Sequence, residues 1–517
     1  MDSKIFSRRD FIKLISLMPL IFLDKPQFSP IPPQEKKSSE KNKLSPNIII
    51  VVFDALSAKN MSLYGYPRDT TPNISRFAKK ATVFHNHYAA GNFTTPGTAS
   101  LLTGTYPWYN RALHYRGKVI RQLLDRNIFS FLSKDYHTTA YSHNPNVSIL
   151  LRQFSKHINQ LTAMDDLTVY GKVFSERLFS KDFTSAFWGE DALLGFHKLL
   201  PSSLFISLIY KNLFTNAIRS LDDKVKIRFP RGVASTSQQQ IFFLEDAVDW
   251  IIEQCLSKQQ AFLGYFHLWP PHDPYNTRYD FIDRFQDDWL PRKKPIHFFT
   301  QTHSESDEIL QRRYYDEYIA FVDSEFGRMI RTLDKNGILD NSYLILTSDH
   351  GEMFERGIIG HHTPTLFEPL IRIPLIISKP GQKQREDIIT NTSCVDLLPT
   401  LLMIFDLEIP DWCEGIVLPT FEDLSESEPR SIFAVEAKLN SSFKALEIGT
   451  LALIKENYKL INYFGYDKYD DKFELYDLQN DPDEMENLYP YENNLATQLQ
   501  MELADKKIRI AKQQFGK

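Results

Sequence analysis

Cysteine is scarce in this chain, which contains three in 517 residues. Cys255, Cys394 and Cys413 are an odd number without the spacing of a metal-binding motif, so the sequence does not predict a cysteine-rich metal site. A surplus of basic charge is also missing, because 60 Lys and Arg residues face 65 Asp and Glu residues for a net charge of −5. No stripe of basic residues with interleaved aromatics stands out either, so the composition argues against nucleic-acid binding.

The amino terminus lacks an apolar run of membrane-spanning length, since its apolar core is only Leu14–Leu23. The segment before it, Ser7–Lys13 (SRRDFIK), matches the twin-arginine export pattern. No Ala-x-Ala cleavage site follows, so removal of the segment and its retention as a membrane anchor both stay open. The sequence therefore predicts export by the twin-arginine machinery to a periplasmic or other extracytoplasmic location.

The rest of the chain, in a sequence with 42% hydrophobic residues, can bury a large core. From Pro46 to about Phe405, apolar strand runs alternate with helical patterns, which predicts an α/β fold whose sheet is covered on both faces. Residues 156–233 fit this alternation less well and are interpreted as an insertion. Within it, Leu199–Tyr210 is interpreted as a helix of a lid, with a peripheral membrane contact as the alternative.

Acidic residues follow two of the predicted strands. Asp54 ends the apolar run Ile48–Phe53, while Asp349 and His350 follow the run Tyr343–Thr347. Both runs are typical of buried parallel strands, whose carboxyl ends meet at one edge of an open sheet. Carboxylate oxygens suit a hard divalent cation, and a histidine nitrogen shifts the preference toward zinc or manganese.

A third segment, Gly91–Gly104 (GNFTTPGTASLLTG), joins Asn47–Asp54 (NIIIVVFD) and Leu344–Glu352 (LILTSDHGE). Together the three segments resemble the sulfatase family of the alkaline phosphatase superfamily. In that family the nucleophile is a cysteine, oxidised to formylglycine, within Cys-x-Pro-x-Arg followed by Ala-Ser-Leu-Leu-Thr-Gly. The same frame puts Thr94 on the cysteine and Thr98 on the arginine.

The resemblance implies a large mixed, mostly parallel sheet sandwiched by helices, followed by a small C-terminal α+β subdomain. It extends to about Leu488, because Phe473–Pro482 (FELYDLQNDP) resembles the strand and turn that end the family's small antiparallel sheet. The predicted units are a twin-arginine signal or anchor at 1–24, a flexible tether at 25–45, a catalytic domain at 46–408 with its insertion at about 156–233, and a C-terminal subdomain at 409–517.

Thr94 is the predicted nucleophile, with Thr95 as the lesser candidate. A threonine hydroxyl is weak at neutral pH and needs a base or a metal ion to become an alkoxide. An alkoxide cannot expel sulfate by collapsing to an aldehyde, as the formylglycine hydrate does, whereas water or an alcohol can resolve a phosphothreonine ester. Superfamily members with Thr at this position act on phosphoesters. The other interpretation is that Thr94 and Thr95 only cap the helix that Pro96 opens.

The resemblance implies that Asp54, Asp349 and His350 are metal ligands and that Thr94 completes the set. Many sulfatases have two adjacent aspartates at the first position, whereas Ala55 follows Asp54 here. One divalent ion is therefore expected, with zinc or manganese favoured and calcium or magnesium still open.

Histidines are predicted for proton transfer and substrate binding. Ala261–Tyr275 resembles the family's Pro-His-x-Pro element, and Gly360–His362 resembles its Gly-His element. These matches make His272 and His361 catalytic, because a histidine can release a proton near neutral pH. The family's sulfate-binding lysine, within Gly-Lys-Trp-His, has no counterpart. The predicted substrate contacts are His143 and Asn144, which stand in its place, and His267, for which a core position is the alternative.

These residues predict an exported, metal-dependent hydrolase or transferase that acts on phosphoesters through a phosphothreonine at Thr94. A sulfuric ester hydrolase is the second interpretation, and an inactive sulfatase-like binding protein is the third. The intact Asp54, Asp349 and His350 argue against the third. The predicted partners are the export machinery and an anionic ester substrate, such as a lipid head group, a cell-envelope polymer or a glycan.

Overall fold

The strands are short and spread along the whole described chain. A computed structural model describes residues 45–169, isolated positions between 182 and 221, and residues 223–236, 240–422, 430–491 and 493–515. Its strands are β1 Asn47–Phe53, β2 Thr82–Phe84, β3 His87–Tyr88, β4 His137–Ser142, β5 Gln160–Leu161, β6 Phe262–Leu268, β7 Ser342–Thr347, β8 Met353–Glu355, β9 Ile358–Gly360, β10 Leu375–Ser378, β11 Glu386–Ile388, β12 Thr392–Ser393, β13 Ile432–Glu436, β14 Gly449–Lys455, β15 Tyr458–Phe464 and β16 Lys472–Asp477.

Helices separate most of these strands. The α-helices are α1 Pro72–Phe77, α2 Thr94–Thr103, α3 Pro107–Asn110, α4 Ile128–Leu132, α5 Pro145–Gln153, α6 Leu244–Ser257, α7 Glu305–Lys335, α8 Glu368–Ile371, α9 Leu397–Ile404 and α10 Asn493–Phe515. Short 3-10 turns lie at Ala58–Asn60, Ser62–Tyr64, Ala78–Lys80, Arg121–Leu123, Ser155–His157, Met164–Leu167, Tyr279–Phe281, Leu339–Asn341 and Cys394–Asp396.

The large sheet has the strand order β11-β2-β10-β7-β1-β6-β4-β5 among the described residues. Its neighbouring strands are parallel, except that β10 runs antiparallel to both β2 and β7. The predicted mixed, mostly parallel sheet is thus confirmed. The predicted buried strand before Asp54 is β1, which pairs in parallel with β6 and β7.

The central strand β1 alternates its side chains between two apolar clusters. Ile48, Ile50 and Val52 face a cluster that includes residues of α2, α5 and α9. The neighbouring residues of β1 face a second cluster, which includes residues of α1, α6 and α7. Successive side chains of a strand point to opposite faces, so a strand that is apolar throughout requires helices on both sides.

The carboxyl-terminal part forms a small sheet of its own. The strands β13, β14, β15 and β16 follow one another in sequence order, and each pair is antiparallel. Leu499 and Leu503 of α10 join the same apolar cluster as Leu453 and Leu475 of this sheet. The predicted small antiparallel C-terminal sheet is confirmed.

Two predicted segments, the amino-terminal signal with its tether and the insertion, lie mainly outside the described residues. The signal and tether at 1–45 lie outside the described residues apart from Ser45, as does most of the insertion at 156–233, including nearly all of Leu199–Tyr210. Within the described part, no helix combines the length and apolar character that a membrane span needs.

Candidate active site

The site lies at the carboxyl ends of β1 and β7. The two strands are parallel neighbours, with Val52 opposite Thr347, so the residues that follow them emerge at one edge of the sheet. Asp54 directly follows β1, and Asp349 stands two residues after β7. The backbone N–H of Ala55 donates to Asp349 Oδ1 across 3.2 Å, which ties the two strand ends together. This is the edge at which open α/β sheets bind their ligands.

Two histidines complete a buried cluster with these carboxylates. His267 Nε2 lies 3.3 Å from Asp54 Oδ2 and 3.6 Å from Asp349 Oδ2. His350 Nε2 lies 3.4 Å from Asp54 Oδ1 and 3.8 Å from Asp349 Oδ2. All four side chains are buried. The sequence predicted His267 as a substrate contact, whereas the structure aims its Nε2 at both carboxylates.

The carboxylates depend on this environment for their charge. Burial works to raise the pKa of Asp54, but hydrogen bonding to His267, the charge of His272 and the adjacent His350 ring hold it well below its usual value. Burial and the neighbouring Asp54 charge raise the pKa of Asp349. The pair therefore shares its negative charge unequally, as close carboxylates do.

The cluster fits a divalent cation. Asp54 Oδ1 and Asp349 Oδ2 are buried and accept no hydrogen bond from any described residue. Burying such oxygens unpaired is costly, and a metal ion would satisfy both at once. His350 Nδ1 lies 2.8 Å from the carbonyl of Gly351, which can only accept. In neutral His350 the proton is therefore on Nδ1, so Nε2 is available as a ligand. Asp54, His267, Asp349 and His350 could hold the ion.

Thr94 begins α2 beside this cluster. Its Oγ1 lies 3.4 Å from His350 Nε2 and 3.2 Å from Asn144 Nδ2. The structure joins Thr94 to the cluster, whereas the hydroxyl of Thr95 is buried without a hydrogen bond among the described residues. The first turn of a helix has free N–H groups that favour an anion, so Thr94 lies where an anionic ester would bind.

Gly97 allows α2 to approach the carboxylate–histidine cluster closely. A Cβ atom at this position would lie 2.1 Å from the carbonyl oxygen of Asp349, a distance that no side chain tolerates. The helix that carries Thr94 therefore packs backbone to backbone against the turn after β7. Nothing in the sequence alone indicated this role for Gly97.

Asn144 and His143 are adjacent in sequence but have different surroundings. Asn144 Nδ2 donates to Asp54 Oδ2 across 2.5 Å as well as to Thr94, while its Oδ1 caps α5 by accepting from the Asn146 N–H at 2.8 Å. The His143 ring is buried and stacks on Phe242 with a centroid distance of 4.0 Å. Burial lowers the pKa of His143 to about 3, so it is a neutral interior residue. The structure brings Asn144, but not His143, to the cluster.

His272 and His361 form the next part of the site. Their ring centroids are 4.8 Å apart, and His361 lies 4.4 Å from the ring of His350. His272 Nδ1 lies 2.8 Å from Asp273 Oδ1. His361 Nδ1 lies 2.8 Å from Glu352 Oε1. The two predicted catalytic histidines are thus brought together, each with its own carboxylate.

The two carboxylates act on the histidines differently. Burial works to lower the pKa of His272, but the adjacent Asp273 raises it to about 10. Burial and the neighbouring histidines lower the pKa of His361 well below its usual value. Burial raises the pKa of Glu352 to about 8. At neutral pH, His272 is therefore protonated and can give a proton, whereas His361 is neutral.

Asp273 and Glu352 were not predicted as functional residues. Both stand beside predicted ones in sequence, since Asp273 follows His272 and Glu352 comes two residues after His350. A cavity of about 510 Å³ borders Asp273 but not Glu352, and its lining also includes Arg231, Asn276, Tyr314, Gly360 and His362. The sequence spacing could have suggested the two acids, but not which histidine each would contact.

The family described as Sulfatase matches residues 46–407. The chain belongs to the sulfatase family. A second family, described as N-sulphoglucosamine sulphohydrolase, C-terminal, matches residues 361–513. This confirms the resemblance inferred from the three motif segments, and the chain is a sulfatase-like ester hydrolase.

Similar proteins cover nearly the whole length of the chain. The uncharacterized sulfatase YidJ of Escherichia coli K12 is 23% identical over an alignment of 480 residues, and the alignment covers 86% of this chain and 83% of that protein. The choline-sulfatase of Rhizobium meliloti is 25% identical over 495 residues, with 86% and 82% covered. The structure of a phosphonate monoester hydrolase of Agrobacterium radiobacter superposes with a TM-score of 0.62 at 18% identity, over 91% of this chain and 96% of that one. At this identity the structural likeness shows the fold alone.

Proposed function

We propose that this protein is an exported, metal-dependent hydrolase or transferase of phosphoesters that works through a covalent phosphothreonine at Thr94. The observation that carries the proposal is the position of Thr94 Oγ1, 3.4 Å from His350 Nε2 and 3.2 Å from Asn144 Nδ2, at the amino end of α2. The contact of this hydroxyl with the buried carboxylate–histidine cluster supports a nucleophile rather than a helix cap alone.

The residue at position 94 supports phosphorus rather than sulfur as the centre attacked. Relatives of this fold are named both as sulfatases and as a phosphonate monoester hydrolase, so the fold itself does not decide between them. Thr94 has no aldehyde form, and an alkoxide can release its product only through attack of water or an alcohol on the bound group. Phosphorus allows this second in-line displacement.

The residues of this chain divide the reaction between them. The amino end of α2 binds the anionic group, and Asn144 Nδ2 fixes the Thr94 oxygen. Thr94 Oγ1 gives its proton to water and forms a bond to phosphorus while the bond to the leaving oxygen breaks, and His272 gives that oxygen a proton. Water or an alcohol then displaces Thr94 Oγ1, and His361 accepts the proton of the attacking group. A bound divalent cation supplies charge screening and lowers the pKa of the threonine hydroxyl.

One zinc or manganese ion is the proposed occupant of the cluster. Two imidazole nitrogens with two carboxylates suit these ions, whereas calcium and magnesium prefer oxygen ligands throughout. The substrate class is an anionic ester of a lipid head group, a cell-envelope polymer or a glycan. Sulfuric ester hydrolysis is the competing activity, and relatives such as the choline-sulfatase support it.

The decisive assay compares two substrates and two variants. A nitrophenyl phosphodiester should be turned over at least about ten-fold faster than nitrophenyl sulfate. Thr94→Ala should abolish phosphodiester turnover, while the matched change Thr95→Ala should keep a good part of it. If the sulfate were turned over faster and this activity survived in Thr94→Ala, both the proposed nucleophile and the proposed substrate class would be wrong.

Export through the twin-arginine machinery is part of the proposal and is supported by Ser7–Lys13. Replacing Arg8 and Arg9 by Lys preserves the charge but removes the recognised pair. The variant should accumulate in the cytoplasm, and cell fractionation measures this directly. A matched change of Lys36 and Lys37 to Arg should leave export unchanged, whereas normal export of the Arg8/Arg9 variant would exclude this route.

A further inference from the structure

A second concave site lies at the opposite end of the large sheet. It is a pocket of about 220 Å³ between α1, α7, the turn at Leu339–Asn341 and the loop after β10. The parallel strands start at this end, with Asn47 of β1 opposite Ser342 of β7. A strand of seven residues spans roughly 20 Å, so the pocket is far from Asp54 and Thr94. A ligand here would not occupy the catalytic cluster.

The pocket contains a preformed pair of arginines. Arg76 Nη1 and Arg331 Nη1 each donate to Asn73 Oδ1 across 3.1 Å. The side-chain amide of Asn73 is fixed in this orientation, because its Nδ2 donates to Asp323 Oδ2 at 2.7 Å. A Cβ at Gly327 would lie 2.5 Å from Asn73 Cγ, so the glycine provides the space in which this amide sits. Two cations are thus held around one neutral oxygen.

The local charge balance favours an anion. Neither Arg76 nor Arg331 forms an ion pair with a carboxylate among the described residues. Five basic residues line the pocket against two acidic ones: Arg76, Lys80, Arg331, Lys379 and Lys383, with Asp334 and Asp340. Of the basic residues, Lys379 lies 3.3 Å from Glu386. Apolar side chains of Phe77, Ile330 and Leu339 also line the pocket, and an arginine pair beside such surface binds phosphate-like groups well.

The chain enters the described structure beside this pocket. Asn341 Nδ2 donates to the carbonyl oxygen of Ser45 across 3.4 Å, and Asn341 directly follows the lining residue Asp340. In sequence, 44 residues precede Ser45, and they include the apolar run Leu14–Leu23 and the basic residues Lys36, Lys37, Lys41 and Lys43. The predicted membrane-proximal segment therefore connects to the end of the sheet that carries the basic pocket.

We propose that this pocket seats the phosphate of an anionic lipid head group and holds the protein on the membrane by the amino ends of its strands. The catalytic edge then faces away from the lipid, which favours a cell-envelope polymer or a glycan over a lipid head group among the proposed substrates. The proposal extends the predicted anchor and is independent of the chemistry at Thr94. Basic residues near an anionic bilayer each strengthen binding several-fold, and the effect weakens with salt.

The test uses the full chain and vesicles of stated composition. Co-sedimentation measures binding to phosphatidylglycerol-rich vesicles and, separately, to pure phosphatidylcholine vesicles. The ratio of the two affinities is compared between variants, because insertion of the amino terminus contributes to both and cancels. The double variant Arg76→Gln/Arg331→Gln should lower this ratio roughly twenty-fold. The control Lys468→Gln/Lys472→Gln removes equal charge from the exposed C-terminal sheet and should leave the ratio within about two-fold.

Two further readouts separate this proposal from others. Hydrolysis of a soluble aryl ester should be unchanged in Arg76→Gln/Arg331→Gln, whether the preferred ester is a phosphate or a sulfate. Inorganic phosphate at millimolar concentration should not release the wild-type protein from anionic vesicles. An equal loss of binding in both double variants, or release by free phosphate, would overturn the assignment to a lipid head group.

Discussion

Asn144 donates an N–H of its side-chain amide to the hydroxyl oxygen of Thr94 across 3.2 Å. The same nitrogen donates to Asp54, and the carbonyl oxygen of the amide caps α5. The amide is therefore fixed in one orientation, with its donor on the oxygen that develops negative charge as Thr94 is activated. A donor in this position stabilises the alkoxide more than the neutral hydroxyl.

Loss of this donor should lower the rate of the chemical step. Asn144→Ala should reduce kcat by about 10²-fold with little change in KM. It should also destabilise the protein by about 1 kcal/mol, because the cap of α5 is lost. Asn144→Ser keeps a capping oxygen, but its hydroxyl ends one bond short of the position of Asn144 Nδ2 and does not reach Thr94 Oγ1. The variant should therefore show the kinetic loss without the full loss of stability. Wild-type kcat in Asn144→Ser would contradict the role of the donor.

The pH dependence of activity should follow His272. Its protonated form is the active one, so activity should be present below its pKa of about 10 and fall as pH rises through that value. Asp273→Asn removes the charge that raises this pKa, so the alkaline limb of kcat/KM should move to lower pH by a unit or more. His361→Gln, as a control, should lower the rate without moving that limb. An alkaline limb unchanged in Asp273→Asn would exclude His272 as the proton donor.

Metal binding and stability should be coupled through Asp349. In the wild type, metal at 100 times its Kd should stabilise the fold by about 2.7 kcal/mol, and a chelator should remove that gain. Asp349→Asn should lose the bound metal and the response to chelator. In chelator it should be more stable than the wild type, because two buried carboxylates no longer repel each other. Thermal unfolding measures the change in stability, and elemental analysis measures the metal content. Unchanged metal content in Asp349→Asn and His350→Ala would contradict the assignment of these residues as ligands.

The packing of α2 should depend on Gly97. An added methyl group would meet the carbonyl oxygen of Asp349 at 2.1 Å, so the helix or the turn must shift. Gly97→Ala should cost about 1–3 kcal/mol and most of the activity, because Thr94 and Asp349 would move apart. Gly65→Ala is the matched control for the general effect on stability, since nothing lies within 4 Å of its added Cβ, although its φ of +94° carries a penalty of its own. Full activity in Gly97→Ala would contradict a tight contact.

The sequence predicted the elements of the site better than their contacts. Asp54 and Asp349 could be placed at one edge because each follows an apolar run of strand length, and parallel strands end together. Thr94 could be placed beside them through the family frame. His267 could not be assigned to the carboxylate–histidine cluster from the sequence. Alternation along β6 indicates the face of the sheet on which a side chain lies, but not which residues of other segments contact it there.

Local sequence also failed to separate His143 from Asn144. Both follow β4 and both are polar, yet the ring of His143 stacks on Phe242, which comes from a segment about a hundred residues away. Such long-range packing leaves no periodic signal. The contact of Gly97 with Asp349 is equally non-local, and only the three-dimensional arrangement reveals it.

The central claim is that Thr94 becomes covalently modified during turnover. The wild-type enzyme is mixed with a nitrophenyl phosphodiester, quenched in acid within the first turnover, and digested for peptide mass mapping. Thr94 should gain an adduct with the mass of the phosphoryl group and its remaining ester. This adduct should form as fast as nitrophenol is released and should be absent from Thr94→Ala. Release of nitrophenol without an adduct, or an adduct on another residue such as Thr95, would contradict it.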